Sequence, residues 1–376
     1  MATRCCSFEA HAELGAARTG TLTLPHGQVS TPNFMPVGTR GTVRGVDPDE
    51  LVAAGASIVL ANTYHLWIRP GAEVVAKLGG LHDFMGWSGP ILTDSGGYQV
   101  FSLRHRAKVS EEGVRFRSPI DGQYRTLTPE VAVQVQETLG VDVAMAFDEC
   151  LEWPAERDKA ARSTERTTRW LHRCLAARQH PERTALFGIV QGSLYDDLRV
   201  AHAQELRELD LDGYAIGGLS VGEDRGALVH AASLSARHLP KDKVRYLMGV
   251  GHPVDLVDAV MGGVDLFDCV LPTRGGRHAA AYTSLGRLNM RGARYTTDDS
   301  ALDPGCGCPT CSRFSKGYLR HLMKTGERLG ARLLSVHNLH YYLGLMRRLR
   351  GAIGAGDAEA LAALRTEAEQ ASTPTR

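Results

Sequence analysis

Three aspartates at the ends of short apolar runs are the residues of this chain best placed to do chemistry. Asp94 ends the run PILTD, Asp148 ends VAMAFD, and Asp268 lies in LFDCVLPTR. A buried carboxylate is costly without partners, so core packing explains them poorly, although a helix N-cap could account for one. Catalytic side chains of parallel barrels lie where strands end. The three aspartates, beside Gln191-Gly192 and Gly217-Gly218, therefore predict one polar pocket.

Several carboxylates around one pocket suit substitution at the anomeric carbon of a sugar. One carboxylate attacks the carbon while another handles the proton of the leaving group, through an oxocarbenium-like transition state. The pattern alone is compatible with an ordinary glycoside hydrolase. A metal-dependent barrel hydrolase is less favoured, because neither a His-x-His nor a His-Glu-x-x-His motif occurs near a strand end.

A second chemical feature is a cluster of cysteines in a Gly- and Pro-rich turn: Cys306, Cys308 and Cys311. The N-terminal segment has no apolar signal sequence, so clustered thiols favour metal binding over disulfides. Three thiolates and one imidazole make a closed tetrahedral shell, which is typical of structural zinc. His337, 25 residues after the last cysteine, is the predicted fourth ligand, with His340 and His321 as alternatives. Free thiols unrelated to His337 are the remaining interpretation.

The elements that must position these residues alternate between strands and helices. Eight short apolar runs read as buried parallel strands: 34–38, 57–62, 90–94, 143–147, 186–190, 214–217, 245–250 and 265–270. Helical stretches lie between several of them: 129–139, 155–178, 194–209 and 225–237. Eight strands predict an α/β fold, an irregular (β/α)8 TIM barrel. A doubly wound open sheet is the alternative, but no G-x-G-x-x-G follows the first strand.

The chain divides into three expected parts. Residues 1–270 hold an N-terminal hairpin around the Pro-His-Gly turn and barrel strands 1–8. Residues 271–337 form a basic zinc-binding insert, with a hairpin at 280–290, placed before the last barrel helix. Residues 338–376 hold that helix and a tail, which we expect to form one short helix and to fray at 372–374.

Charge and composition narrow the class of protein. Residues 271–350 carry 14 Lys and Arg against 4 Asp and Glu, in a chain whose net charge is +1. Such asymmetry favours a polyanionic partner, although a solvated helical surface would look the same. The apolar fraction is 43%, and the longest apolar runs fall far short of a membrane span. We expect a cytoplasmic protein with no membrane segment.

Seven motifs in this order resemble the bacterial tRNA-guanine transglycosylases: DSGGYQVFSL (94–103), FRSPIDG (116–122), FDEC (147–150), VQG (190–192), GGLSVGE (217–223), YLMGVG (246–251) and FDCVLPTRGGR (267–277). The three cysteines and the segment 336–338 add to the resemblance. It implies an irregular barrel with a zinc-bearing insert, usually a homodimer. It also implies exchange of wobble guanine in tRNAs with G-U-N anticodons (Asp, Asn, His, Tyr) for 7-aminomethyl-7-deazaguanine, a step of queuosine biosynthesis.

The resemblance also assigns the two catalytic carboxylates. Asp268 corresponds to the nucleophile that attacks the ribose and forms a covalent RNA intermediate. Asp94 corresponds to the general acid and base, which serves the departing guanine and then deprotonates the incoming base.

The base pocket is assigned in the same way. Asp148 would accept from the ring N–H and the amino group of guanine, while Gln191 and the backbone N–H of Gly218 would donate to its carbonyl oxygen. Tyr98 and Met248 would enclose the flat base, and stacking on an aromatic ring contributes roughly 1–3 kcal/mol per base. Core packing is the alternative role of Met248.

The remaining contacts implied by the resemblance concern the aminomethyl group and the RNA. The backbone of Leu219 would meet the aminomethyl group, and Arg274 and Arg277 would contact the flipped-out anticodon. Solvated loop arginines are the alternative for both. The loop 103–106 and Pro119 depart from the family pattern, whereas Val221 and Cys150 fit its bacterial type.

Two alternatives to an active exchange enzyme of the bacterial type remain open at this point. A catalytically silent tRNA-binding subunit is disfavoured because all three aspartates are present. An archaeal-type enzyme would be expected to carry a further C-terminal RNA-binding domain, and the residues after 350 are too few for one.

Overall fold

The short apolar runs form the parallel strands of a barrel. The computed structural model describes residues 5–98 and 107–374. Its barrel strands are β4 (Asn33–Met35), β5 (Val37–Gly38), β6 (Val59–Ala61), β7 (Ile91–Thr93), β11 (Val143–Met145), β12 (Ala185–Val190), β13 (Gly213–Ile216), β14 (Arg245–Leu247) and β15 (Leu266–Asp268). The other strands are β1 (Ser7–Leu14), β2 (Ala17–Leu24), β3 (Gly27–Thr31), β8 (Ala107–Val109), β9 (Val114–Arg117), β10 (Tyr124–Leu127), β16 (Ala280–Thr283) and β17 (Gly286–Asn289).

The barrel closes through an interrupted first strand. β4 pairs with β15, whereas β5, which follows it directly, pairs with β6 on the other side. Pro36 separates the two segments; it has no N–H to donate, but its carbonyl accepts from the Leu60 N–H at 3.0 Å. All the pairings around the barrel are parallel. The predicted (β/α)8 barrel is therefore confirmed, and the open doubly wound sheet is wrong.

Helices lie between the barrel strands and after them. Their bounds are α1 (Pro48–Ala54), α2 (Thr63–Ile68), α3 (Ala72–Lys77), α4 (Gly80–Met85), α5 (Pro129–Leu139), α6 (Arg157–Ala177), α7 (Asp196–Arg207), α8 (Arg225–His238), α9 (Pro253–Met261), α10 (Leu271–Arg277), α11 (Pro309–Arg313), α12 (Lys316–Thr325), α13 (Arg328–Gly354) and α14 (Ala358–Ser372). The four predicted helices match α5 to α8 closely. In the described residues, no helix is both long and apolar enough to span a membrane.

Local sequence explains where α5 begins and ends. The Thr128 hydroxyl accepts from the Val131 N–H, and Pro129 occupies the first turn, where its missing N–H is no loss. Gly140 ends the helix with φ 73°, a left-handed conformation that glycine adopts at little cost. The same arrangement of polar cap and terminal glycine makes this helix predictable from sequence.

A three-stranded antiparallel sheet closes the barrel at the N-terminal ends of its strands. β1, β2 and β3 form this sheet, of which the sequence predicted only the hairpin of β2 and β3. Leu22, Leu24 and Val29 join the apolar core of the barrel interior. The Arg18 guanidinium donates to both carboxylate oxygens of Asp265, the residue just before β15.

Asp142, just before β11, ties this sheet to the rest of the barrel. Its carboxylate accepts from the backbone N–H and the imidazole of His26, from His82, and from the Ile91 N–H. The two imidazole rings stack with centroids 3.6 Å apart. Burial alone would raise the pKa of Asp142, but these donors outweigh it and hold the pKa below its ordinary value.

Residues after β15 form the region that contains the clustered cysteines and the last barrel helix. Ala281, Tyr295 and Leu319 belong to a small apolar core shared by the hairpin of β16 and β17, α12 and the start of α13. The predicted hairpin and the long helix are confirmed, and the tail folds as α14. The expected fraying at 372–374 is wrong, because Arg287 donates its backbone N–H to Thr373 and pairs with Pro374.

Replacing Asp142 by Asn should lower the free energy of unfolding by about 3 kcal/mol, because the amide offers one acceptor oxygen to a buried group of N–H donors. Urea denaturation measures the change. Glu73→Gln, an exposed change of the same type on α3, is the control and should alter stability by less than about 0.5 kcal/mol. A loss below about 1 kcal/mol in Asp142→Asn would contradict the role of Asp142 in closing the barrel.

Candidate active site and metal centre

The three predicted aspartates lie at the same end of the barrel. Asp268 is the last residue of β15, Asp94 follows β7, and Asp148 lies three residues beyond β11. Gln191 directly follows β12 and belongs to the same ring of residues. The carboxyl ends of parallel strands converge on one edge, so the predicted polar cleft is present.

Asp148 is buried and held by two side-chain donors. The Ser95 hydroxyl donates to its Oδ1 at 3.0 Å, and the Gln191 amide donates to its Oδ2 at 2.7 Å. Burial raises the pKa of Asp148 to about 6, against the opposing effect of these two donors. One carboxylate of the site therefore titrates close to neutral pH. Ser95 was not predicted, although it directly follows Asp94 in the sequence.

Gly217 and Gly218 form the wall next to Gln191. Gly218 has φ 67°, and a Cβ at this position would lie 2.4 Å from Gln191 Oε1. Glycine is required here both by conformation and by close approach. The Gly218 N–H faces the buried Cys150 thiol, whose pKa rises to about 12 because of burial and the neighbouring Asp148. Leu219, the next residue, is buried.

Asp268 is held by one of its two oxygens. Oδ1 accepts from the Tyr246 hydroxyl at 2.6 Å and from the Gly249 N–H at 2.7 Å. Within the described chain, Oδ2 accepts no hydrogen bond, and the carboxylate is partly open to the cleft. Enclosure by protein raises the pKa of Asp268, while the two donors oppose that rise. Oδ2 is therefore the oxygen available for attack on a substrate.

Tyr246 donates to Asp268 and lies within electrostatic range of Asp94. The pKa of its hydroxyl lies well above the ordinary value because of burial and the negative charges of Asp268 and Asp94. Tyr246 was not predicted as a site residue, although alternation along β14 indicates that residues 246 and 248 face the same side.

Asp94 is anchored at the start of α2. Its Oδ1 accepts from the Thr63 N–H at 2.9 Å and the Gly96 N–H at 3.2 Å, and its Oδ2 accepts from the Asn62 amide. These donors fix the position of the Asp94 carboxylate at the start of α2. Asn62 and Thr63 also went unpredicted, and their only signal was their position at the end of the second strand.

Tyr98 and Met248 are the residues predicted to enclose the base. Tyr98 is the last described residue before the gap at 99–106, and 55% of its surface is exposed. Met248 follows β14 and packs partly buried against the core of the barrel interior. The sandwich of these two side chains stays a prediction. The divergent loop 103–106 lies outside the described residues, and Pro119 is exposed between β9 and β10.

Arg274 and Arg277 lie on the short helix α10 rather than on a loop. Gly276 lets this helix pack closely against α13, because a Cβ at this position would lie 2.6 Å from the backbone nitrogen of Ser335. Arg274 is exposed, and partial burial with the nearby Arg44 and Arg274 lowers the pKa of Arg277. Arg277 Nη1 has no hydrogen-bond partner among the described residues.

The three clustered cysteines converge on one imidazole. His337 Nδ1 lies 3.8 Å from the Sγ of Cys306, 3.5 Å from that of Cys308 and 3.3 Å from that of Cys311. A tetrahedral ion with typical metal–sulfur and metal–nitrogen bonds would separate these atoms by about 3.6 Å. The four residues could therefore hold a metal ion. His321 and His340 are not part of this cluster among the described residues.

The surrounding hydrogen bonds orient His337 for this role. Its Nε2–H donates to the Tyr282 carbonyl at 2.9 Å, which leaves Nδ1 without a proton and directed at the sulfurs. Asn338 accepts from the Tyr282 N–H and donates to the carbonyls of Pro272 and Ala280. The hairpin, α10 and α13 are thus connected around the cluster.

Comparison with known proteins decides the family. The sequence model described as Queuine tRNA-ribosyltransferase matches residues 13–371. The chain belongs to this family. Proteins named queuine tRNA-ribosyltransferase from Nitrosomonas eutropha and Acetivibrio thermocellus are 54% and 52% identical to it. The alignments cover 94% of this chain and 98% of the Nitrosomonas protein, and 90% of both chains for the Acetivibrio protein.

A third relative of the same name, from Novosphingobium aromaticivorans, is 52% identical over 95% of this chain and 96% of its own. Membership of the family identifies the chain as a pentosyltransferase rather than an ordinary glycoside hydrolase. The resemblance drawn from the motifs is confirmed.

Replacing Ser95 by Ala should raise the pKa of Asp148 by roughly one unit or more, because the carboxylate loses a hydroxyl donor. Carbon-13 NMR of protein labelled at the Asp carboxyl carbon follows the titration, and Asp148→Asn identifies the resonance. Ser163→Ala is the matched control, since its hydroxyl donates to the backbone carbonyl of Glu149 instead. An unchanged titration in Ser95→Ala would show that this hydrogen bond does not support the ionised form.

Proposed function

We propose that this enzyme exchanges guanine at the wobble position of tRNAs with G-U-N anticodons (Asp, Asn, His, Tyr) for 7-aminomethyl-7-deazaguanine in queuosine biosynthesis. The observation that carries the proposal is the position of Asp268. One of its oxygens is fixed by two donors, and the other accepts none in the described chain, in a cleft that also holds Asp94 and Asp148. Family membership supports the choice of tRNA as substrate.

The first step forms a covalent link between the protein and the RNA. Asp268 Oδ2 bonds to the ribose C1′ while the bond from C1′ to N9 of guanine breaks, and guanine leaves with the electron pair. A proton from Asp94 neutralises the departing base. The incoming base then gives its N9 proton to Asp94 and displaces Asp268 from C1′. Asp94 is thereby protonated again for the next turnover, and the sugar retains its configuration.

The pocket reads the base through Asp148 and its neighbours. Ionised Asp148 accepts from the ring N–H and the amino group, so base binding weakens as the pH falls through the pKa of about 6. One N–H of Gln191 already donates to Asp148, and the second donates to the carbonyl oxygen of the base together with the Gly218 N–H. Tyr98 and Met248 enclose the ring, and the backbone of Leu219 meets the aminomethyl group.

The RNA binds along the basic rim of the cleft. Arg274 and Arg277 contact the flipped-out anticodon, and the guanidinium nitrogen of Arg277 that lacks a partner supports an anionic ligand there. An anticodon loop makes extrusion of the base inexpensive, because the nucleotide has no paired partner. The basic insert at 271–337 adds electrostatic attraction to the phosphates.

Structural zinc is the ion we assign to Cys306, Cys308, Cys311 and His337, one per chain. The donor set has no open position, and the distances fit a tetrahedral shell. Zinc at this site supplies no chemistry to the base exchange and holds the insert to α13. The proposed division is a barrel unit at 1–270, the insert at 271–337 and a closing unit at 338–376, with α13 running across the last boundary.

A homodimer and a cytoplasmic location complete the proposal. Large apolar side chains that stay exposed near the metal cluster, among them Tyr318 and Leu329, support an association between copies of the chain. A cytoplasmic location agrees with a tRNA substrate.

Asp268→Asn should abolish the covalent RNA adduct and lower guanine exchange by roughly a thousandfold or more, because the amide cannot replace the nucleophile. Purified enzyme is incubated with unfractionated tRNA, and the adduct is resolved on a denaturing gel. Incorporation of labelled guanine measures exchange. Persistence of the adduct would remove Asp268 from this role, and base released without replacement would indicate a hydrolase.

Tyr246→Phe is the matched variant, since it keeps the nucleophile and removes one donor to it. We expect the adduct to form roughly 10- to 100-fold more slowly, with the acidic limb of the pH–rate profile moved to higher pH. An unaltered profile would show that the hydrogen bond from Tyr246 does not tune Asp268.

Metal analysis should find one zinc per chain, and Cys306→Ser should lower it. Removal of the metal by a chelator should weaken tRNA binding while the barrel keeps its circular dichroism, because the basic insert loses its attachment to α13. Cys5→Ser, outside the cluster, is the control and should keep full zinc content. Another metal, or none, in the purified protein would refute the assignment.

A further inference from the structure

Arg199 on α7 is a fully buried cation next to the base pocket. Its relative exposure is 0%, and the carboxylates of Glu223 and Asp196 act on it without forming a salt bridge among the described residues. Burial lowers the pKa of Arg199 to about 10, so the side chain is charged at neutral pH. A buried unpaired charge is costly, so its position needs compensation by other groups.

Backbone carbonyls of two pocket loops provide that compensation. Arg199 Nε donates to the Ser193 carbonyl at 2.5 Å, and Nη2 donates to the carbonyls of Gly217 at 3.0 Å and Gly218 at 3.5 Å. Nη1 reaches the Ser235 hydroxyl at 3.4 Å. Ser193 and Gly218 both have positive φ, 51° and 67°. Only the conformation of Ser193 costs energy, because glycine adopts a positive φ freely. The guanidinium therefore holds a strained loop after β12 and fixes the position of the loop after β13.

The contacts of Arg199 with the Gly217 and Gly218 carbonyls also determine where two backbone N–H groups point and how strongly they donate hydrogen bonds. The Gly217 carbonyl belongs to the peptide unit of the Gly218 N–H, and the Gly218 carbonyl to that of the Leu219 N–H. In a trans peptide the carbonyl and the N–H point in opposite directions. A carbonyl that accepts from a cation makes its N–H a stronger donor, because hydrogen bonds in a chain polarise one another. The Gly218 N–H is thus directed away from Arg199, toward the side of Cys150.

We propose that Arg199 is a positioning residue that aims and polarises the Gly218 N–H toward the carbonyl oxygen of the purine. Negative charge on the departing base is then stabilised by a donor that needs no reorganisation. This inference rests on the proposed function, which places the base carbonyl at Gly218. In this role Arg199 influences binding of the base without contacting it.

A second buried arginine offers a matched control. Arg245 at the start of β14 also donates to backbone carbonyls, those of Gly263, Leu239 and Pro240. Burial lowers its pKa to about 10 as well. Arg245 lies at the N-terminal end of the barrel, opposite the cleft. Its replacement therefore measures the general effect of removing a buried arginine, without a change at the base pocket.

The test compares guanine with 6-thioguanine, which keeps the ring N–H and amino group but replaces the oxygen by a weakly accepting sulfur. Inhibition constants for both bases are measured with the wild-type enzyme and with Arg199→Met, Arg199→Lys and Arg245→Met, after thermal unfolding has shown that each is folded. The preference for guanine should shrink roughly three- to tenfold in Arg199→Met and persist in Arg245→Met. Arg199→Lys, which keeps the charge but lacks the planar fork, should fall between them.

The outcomes separate this inference from the proposed function. No preference for guanine in the wild-type enzyme would refute the placement of the base carbonyl at Gly218. A wild-type preference that survives unchanged in Arg199→Met would overturn the role of Arg199. If Arg199→Met does not fold, Arg199→Lys provides the test. A lysine cannot reach the carbonyls of both loops, so an unchanged preference for guanine over 6-thioguanine in Arg199→Lys would also overturn the role of Arg199. Equal losses in Arg199→Met and Arg245→Met would also overturn it.

Discussion

Closure of the barrel through its divided first strand is the constraint on which the rest of the structure depends. β4 and β5 pair with different neighbours on either side of Pro36, which brings β15 beside the first strand and completes the ring. Only in a closed ring do the ends of β7, β11 and β15 face one another. The aspartates that follow these strands therefore share a cleft because of strand order, although long stretches of sequence separate them.

Within that cleft, three identical side chains are given different properties by their neighbours. Asp94 is held through both oxygens by donors at the start of α2, burial raises the pKa of Asp148 to about 6, and Asp268 is held by one oxygen only. Different neighbouring groups give equivalent carboxylates different properties. One site can then assign the roles of nucleophile, acid and base to different residues. The donors are mostly backbone N–H groups and uncharged side chains, which fix geometry without neutralising the carboxylates.

Sequence reasoning was strongest where local pattern and tertiary structure agree. The eight apolar runs and the longer helices were predictable, as were the three aspartates and the cysteine turn. β1 was missed because none of its residues is buried and it has no apolar run, and α10 because two glycines in PTRGGR indicate a turn. Gly276 is explained by close contact with α13, and Gly275 by close contact with Tyr282 on β16. Tyr246, Asn62 and Arg199 escaped because their roles depend on which strand ends meet, and no local pattern records that.

The strand that contains Pro36 also has a consequence for synthesis of the chain. The pairing of residues 33–35 with residues 266–268 joins parts of the sequence that leave the ribosome far apart in time. Until the later segment emerges, the growing sheet has an open edge, which is a template for pairing with other chains. That edge is very short and carries a proline, two features that make it a poor template. Pro36, which divides the first strand of the closed barrel, thus also disfavours pairing of the incomplete sheet with other chains.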